Sequence, residues 1–207
     1  LRRGFIANIS HDLRSPLTSI KGFVQAILDG TIPEEKQEKY LEIVLDETGR
    51  LTKMTNDIMD LTKMESGQIE IKKEQFDINE LIRRVLEQFE QRILEKDVKL
   101  KLILAEEKTM VYADREQIQR VINNLLDNAV KFVPQEGKIW IETTLFVNKI
   151  LVSVKNNGES IKENEIHYIW DRFHKGDKSR GRDKTGMGLG LSIVKQILKN
   201  HGENIKV

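Results

Sequence analysis

Apolar residues recur at mixed spacings of three and four from Ile6 through Ile9, Leu13, Leu17, Ile20 and Val24 to Ile27, the pattern of an amphipathic helix. Gly30 and Pro33 end it, and Thr31 or Pro33 with Glu34 and Glu35 opens a second. That helix carries Leu41, Val44, Leu51, Met54, Ile58 and Leu61 at heptad-like intervals up to the break "ESGQ" at Glu65 to Gln68. Each helix has one apolar stripe. The pair therefore predicts a helical hairpin that cannot bury both faces alone, and a dimeric four-helix bundle is the simplest remedy.

After Gly67 the pattern changes. The runs "QIEIKKEQF" and "VKLKLIL", a helix from about Ile78 to Leu94, and the hairpin-like pair "KIWIETTLF" and "KILVSVK" predict an α+β layer of helices over a mixed sheet. The expected division is a helical hairpin over residues 1–67 and an α/β sandwich over 68–207. A small molecule is expected in the second part.

Two helices carry residues that packing does not require. With about 100° per residue, His11 falls roughly 150° from the centre of the first stripe, so it is expected to face solvent. Ser15 stands one turn above it and Asp12 on its flank. Pro16 follows, a helix defect of on the order of 3 kcal/mol that frees the Asp12 carbonyl. A merely structural helix has little reason to carry that defect beside its exposed histidine.

The other helix is "DREQIQRVINNLLDNAVKF", with Asp114 as its expected N-cap. Ile118, Val121, Ile122, Leu125, Leu126 and Ala129 form its buried face, while Asn124, Asn128 and Lys131 line up on another. Asparagine is a poor helix former, so two in mid-helix need a reason. An amide oxygen suits the hard cation Mg²⁺ and a lysine suits phosphate, so the trio reads as a Mg-nucleotide site. Its second half is expected in "TGMGLGLSIVKQILKNHG", where Gly186, Gly188 and Gly190 let backbone N–H groups approach a phosphate at a helix N-terminus. This is neither a P-loop nor a dinucleotide fingerprint. Between Trp170 and Thr185 the polar run "DRFHKGDKSRGRDK" reads as a solvated lid.

Composition narrows the field. Over 207 residues the formal net charge is +1, from 34 basic and 33 acidic side chains, so no global charge calls for nucleic acid or an anionic membrane. There is no cysteine, which excludes disulfides and thiolate metal sites. No apolar run approaches the roughly 18 residues of a membrane span, and a soluble piece without membrane contact is expected.

The motifs taken together resemble a known family. "FIANISHDLRSPLTSIKGF" is similar to the H-box of sensor histidine kinases. "NNLLDNAVKF" resembles the N-box, "VKNNGESI" the first glycine box, "IWDRFHK" the F-box and "TGMGLGLSIV" the second glycine box of their ATP-binding domain, of the gyrase, Hsp90, kinase and MutL type. The resemblance implies that His11 attacks the γ-phosphate of ATP, that Asp12 holds the other ring nitrogen and accepts its proton, and that Asn124 aligns the reaction. It implies Mg²⁺ on Asn128 and phosphate contact by Lys131. Nucleotide contacts are implied for Asn156, Gly158 and Ile161, for Phe173, and for Lys178 and Arg180 in the charged run. They are also implied for Gly186, Gly188, Leu189, Gly190 and Leu191.

The implied partners are a second copy of the chain and the receiver domain of a response regulator. The implied setting is the cytoplasmic part of a membrane-anchored sensor that continues beyond both ends of this sequence. Ser15, four after the histidine, takes the place of the residue that orients water in members that also dephosphorylate their regulator. ATPases of this fold carry a glutamate where Asn124 stands, and an amide cannot act as that base. In the first glycine box Asn156 replaces an aspartate and Ser160 a glycine, and Met187 replaces a commoner polar residue in the second. These departures leave a catalytically weakened dimeric scaffold as the alternative to an active kinase, with a plain ATPase behind both.

Overall fold

The computed structural model describes residues 2–174 and 187–207; within its first helix the side chains of residues 2–8 and of His11 lie outside the described residues. The chain divides into two compact units, Leu1–Lys63 with Asp171–Leu189, and Met64–Trp170 with Gly190–Val207.

The first unit contains the expected hairpin. Helix α1 spans Arg2–Leu28 and runs through Pro16, and α2 spans Glu34–Glu65, with Glu34 and Glu35 in its first turn. Between them Gly30 adopts a left-handed φ of 76°. The seam involves a residue outside the expected stripe: the Phe23 ring meets Tyr40 at 5.3 Å between centroids. Conversely, Leu17, Val24, Leu28, Leu41 and Leu45 are exposed, so a second apolar face remains along the hairpin.

In the second unit, strand β1 (Lys73–Asp77) pairs antiparallel with β3 (Met110–Asp114). Strand β2 (Lys99–Ile103) runs parallel to β4 (Lys138–Phe146), which forms the expected hairpin with β5 (Lys149–Asn156). Helices α3 (Ile78–Glu87), α4 (Glu90–Glu95), α5 (Arg115–Phe132) and α6 (Gly190–His201) complete it. The core joins Ile82, Val85, Leu126, Val130, Ile139 and Ile141, all essentially inaccessible.

Two elements correct the sequence reading. The single helix expected from Ile78 to Leu94 is broken at Gln88 and Phe89, whose N–H groups bond three residues back to Val85 and Leu86. The break lets Phe89 enter the core, with the Arg92 guanidinium 5.4 Å from its ring centroid. The other is β3, a strand absent from the expectation, which named only Asp114 of this stretch, as an N-cap. Asp77 caps α3 by accepting from the N–H groups of Asn79 and Glu80, and the Thr109 hydroxyl, 2.6 Å away, is the main reason its carboxyl lies below the usual range.

Candidate nucleotide site

Helix α5 is fixed at both ends. Asp114 caps its start as expected, accepting from Gln117 N. At the far end the Lys96 ammonium donates to the carbonyls of Val130, Lys131 and Val133 at 2.8, 3.1 and 3.3 Å. Burial, with a smaller contribution from Arg92, pulls the Lys96 amine below its ordinary value. The sequence reading missed Lys96, because only the fold brings it to a helix end some 35 residues away. Arg92 adds an ion pair to Asp127 at 2.8 Å.

Held in this way, α5 carries Val121, Ile122, Leu126, Ala129 and Val130 on its buried side, while Asn124, Asn128 and Lys131 are half-buried. Asn124 Nδ2 donates to the Arg120 carbonyl at 2.9 Å. Its Oδ1 is aimed at Gly190, where an added Cβ would come within 3.0 Å of it. The amide of Asn128 makes no hydrogen bond among the described residues. The Lys131 ammonium lies 5.8 Å from the Phe132 ring centroid. Gly190 is the first residue of α6, so the first turn of that helix begins beside Asn124.

The first glycine box meets the C-terminal end of α5. A Cβ on Gly158 would come within 2.3 Å of the Phe132 carbonyl oxygen and 2.7 Å of Asn156 Nδ2, so this position has no room for a side chain. Asn156 ends β5 and is half-buried. Its neighbour Asn157 is committed elsewhere, accepting from Lys138 N at 2.6 Å and donating its own N–H to the Lys138 carbonyl. Ser160 is not among the described residues with left-handed φ, so its replacement of glycine imposes no backbone strain. Ile161 is exposed.

The F-box and the second glycine box form their own contact within the first unit. Phe173, at φ 61°, donates its N–H to the Gly188 carbonyl at 3.0 Å. Gly188 has φ 68°, and a Cβ there would lie 2.6 Å from the His174 carbonyl oxygen. Met187 and Leu189 are buried and Leu191 is half-buried. Asp12 and Ser15 occupy α1, half-buried and exposed respectively. Lys178, Arg180 and Gly186 lie outside the described residues, as does the expected solvent exposure of the His11 ring.

A donor-bearing helix face, a loop at its end whose Gly158 admits no side chain, and a helix N-terminus make a cradle suited to a nucleotide, while the helical hairpin carries His11 and Asp12 in its first helix. The comparisons name the class. Residues 1–67 match the His Kinase A (phospho-acceptor) domain, and residues 113–207 match the Histidine kinase-, DNA gyrase B-, and HSP90-like ATPase. The sensor histidine kinase YclK of Bacillus subtilis (strain 168) is 34% identical over 207 residues, covering 100% of this chain and 43% of YclK. The catalytic domain of histidine kinase ThkA is 33% identical with a TM-score of 0.56, covering 64% of this chain and 82% of that one. Histidine kinase ThkA solved in complex with response regulator TrrA superposes with a TM-score of 0.78 at 29% identity, covering 97% of this chain and 55% of that one. The chain belongs to the sensor histidine kinases of two-component systems. It spans less than half the length of YclK.

Proposed function

We propose that this chain phosphorylates itself on His11 with ATP and passes the phosphoryl group to an aspartate on the receiver domain of a response regulator. The observation that carries the reading is α5, which presents Asn124, Asn128 and Lys131 on one face with Gly190 against Asn124 Oδ1. Lys131 contacts the phosphates, and N–H groups of the first turn of α6 donate to them. Asn128 offers its amide oxygen to Mg²⁺, which when bound would supply charge neutralisation on the phosphates. His11 attacks through one ring nitrogen: a nitrogen–phosphorus bond forms while the bond from the γ-phosphorus to the bridging oxygen breaks, leaving ADP. Asp12 accepts the proton from the other ring nitrogen, which restores a neutral imidazole. Asn124 aligns the transfer and has no basic lone pair to activate water, which disfavours the plain ATPase. Incubation with γ-labelled ATP and Mg²⁺ tests the reading: the protein should acquire label that is lost in acid and kept in alkali.

The module boundaries we propose are residues 1–67 for dimerisation and phosphotransfer and 68–207 for catalysis. A homodimer covers the exposed Leu17, Val24, Leu28, Leu41 and Leu45, completing a four-helix bundle. No helix among the described residues is long and apolar enough to cross a membrane. Membrane anchoring of the parent protein is part of this proposal and rests on the resemblance to sensor kinases.

Asn156 is the proposed adenine reader. Its carboxamide oxygen accepts from the adenine amino group without the charge assistance of an aspartate. Asn156→Asp should tighten Mg-ATP binding by about fivefold, the equivalent of roughly 1 kcal/mol, in a calorimetric titration. An unchanged or weaker affinity would remove Asn156 from that role. The unstrained Ser160 leaves the scaffold alternative resting on Asn156 alone.

Ser15 keeps a hydroxyl one turn from His11, and we assign to it the positioning of water for dephosphorylation of the regulator. Ser15→Ala should slow that dephosphorylation at least about tenfold while labelling of His11 persists. An equal rate in both proteins would sink the assignment.

A further inference from the structure

Helix α6 packs on α5, and its Ser192, Ile193, Val194 and Ile197 are buried. Interdigitated apolar packing holds the two helices together, and directional polar bonds add to it in fixing the axial register of one on the other. Polar bonds of this kind stand at the end of α6 remote from Gly190. His201 Nε2 accepts the Asp114 backbone N–H at 3.1 Å, and its Nδ1 lies 2.8 Å from the Ile197 carbonyl oxygen. A backbone amide only donates and a carbonyl only accepts, so in this pair of contacts Nε2 is the acceptor and Nδ1 the donor.

Asp114 is also the cap of α5, and its Oδ2 accepts the Lys72 backbone N–H at 3.0 Å. One residue before His201, Asn200 donates to the Met64 carbonyl at 3.5 Å and accepts from Gln196 Nε2 at 2.8 Å. The last turn of α6 is thus tied to the start of α5 and to the segment that leads into β1. Nothing else in the nucleotide reading uses His201.

We propose that His201 is a positioning residue of the nucleotide site: it pins α6 to the N-terminus of α5 and so holds Gly190 opposite Asn124. The helix transmits that register rigidly over its 12 residues. A slip of one residue, about 1.5 Å of rise, would move Gly190 and the N–H groups behind it away from an amide oxygen that now stands 3.0 Å from its would-be Cβ. The same node gives the segment around Met64 and Lys72 a mechanical connection to both nucleotide helices.

This inference rests on the nucleotide site proposed above, and the experiment separates the two. Mg-ADP is titrated calorimetrically into the 207-residue chain and into His201→Phe and His201→Gln, with a Tm for each. Phenylalanine keeps a ring without the acceptor, and the glutamine oxygen can replace Nε2 as acceptor for Asp114 N–H. His201→Phe should raise Kd by about three- to tenfold, with His201→Gln within about twofold of the parent. A His201→Phe that binds Mg-ADP as the parent does, even with a lowered Tm, would overturn the proposal and leave His201 a purely structural bond. Equal loss in both variants would also overturn it, since the acceptor would not be the cause. Failure of the parent chain itself to bind would strike down the nucleotide site first. If His201→Phe does not fold by circular dichroism, His201→Leu takes its place with the same expected weakening.

Discussion

His11→Gln should abolish the acid-labile label entirely, a loss of at least about three orders of magnitude against the parent chain. Glutamine matches the polarity and much of the reach of histidine but has no ring nitrogen with a nucleophilic lone pair. The phosphorylated product can therefore not form, whatever the state of the nucleotide site. The two stability tests identify the bond. A nitrogen–phosphorus bond breaks in acid, where protonation makes the ring a good leaving group, and survives alkali. A phosphoserine survives acid, and an acyl phosphate on Asp12 would be lost in alkali. Acid-labile, alkali-stable label that persists in His11→Gln would place the acceptor on another histidine, and His167, His174 and His201 are the remaining candidates. Circular dichroism indistinguishable from the parent closes the folding explanation, since α1 already tolerates Pro16 five residues on.

The parts of this molecule that a sequence announces are those governed by local chemistry. The period of the apolar residues marks α1 and α2, the glycine and glutamates at residues 30–35 mark the turn between them, and Asp114 marks the start of α5. Alternation followed by a two-residue break marks the β4–β5 hairpin. What local chemistry cannot show depends on partners distant in the chain. Phe89 breaks a helix because the core has a place for its ring, and β3 becomes a strand because β1 lies alongside it. In the candidate site, Asn124, Asn128 and Lys131 were legible from helical spacing, because they sit on one element. Lys96 capping α5 and His201 bonded to Asp114 were not, because their spacings of 35 and 87 residues have no periodic signature. The seam of the hairpin was half legible: Ile20 and Ile27 were expected on it, while Phe23 joins through its contact with Tyr40.

The same distinction makes Gly158 the more informative glycine. Its φ is not in the left-handed region, so the requirement for glycine is steric and comes from a residue 26 positions earlier, the Phe132 carbonyl at 2.3 Å from an added Cβ. That oxygen belongs to the C-terminal turn of α5, whose neighbouring carbonyls are fastened to Lys96, so it cannot withdraw cheaply. In Gly158→Ala the loop must move instead, and with it Asn156, whose Nδ2 stands 2.7 Å from the same Cβ. Overpacking of this kind costs about 1–3 kcal/mol. Because the displaced atoms line the proposed adenine end of the site, nucleotide affinity should fall by about tenfold or more, read as Kd for Mg-ADP. The control is Gly49→Ala in α2, where a Cβ meets nothing within 4 Å. There alanine should raise Tm through the roughly 1 kcal/mol difference in helix propensity and leave Kd unchanged. A Gly158→Ala protein that binds Mg-ADP as tightly as the parent would show that the loop after β5 is not a wall of the nucleotide site, and Asn156 would lose its adenine-reading role with it.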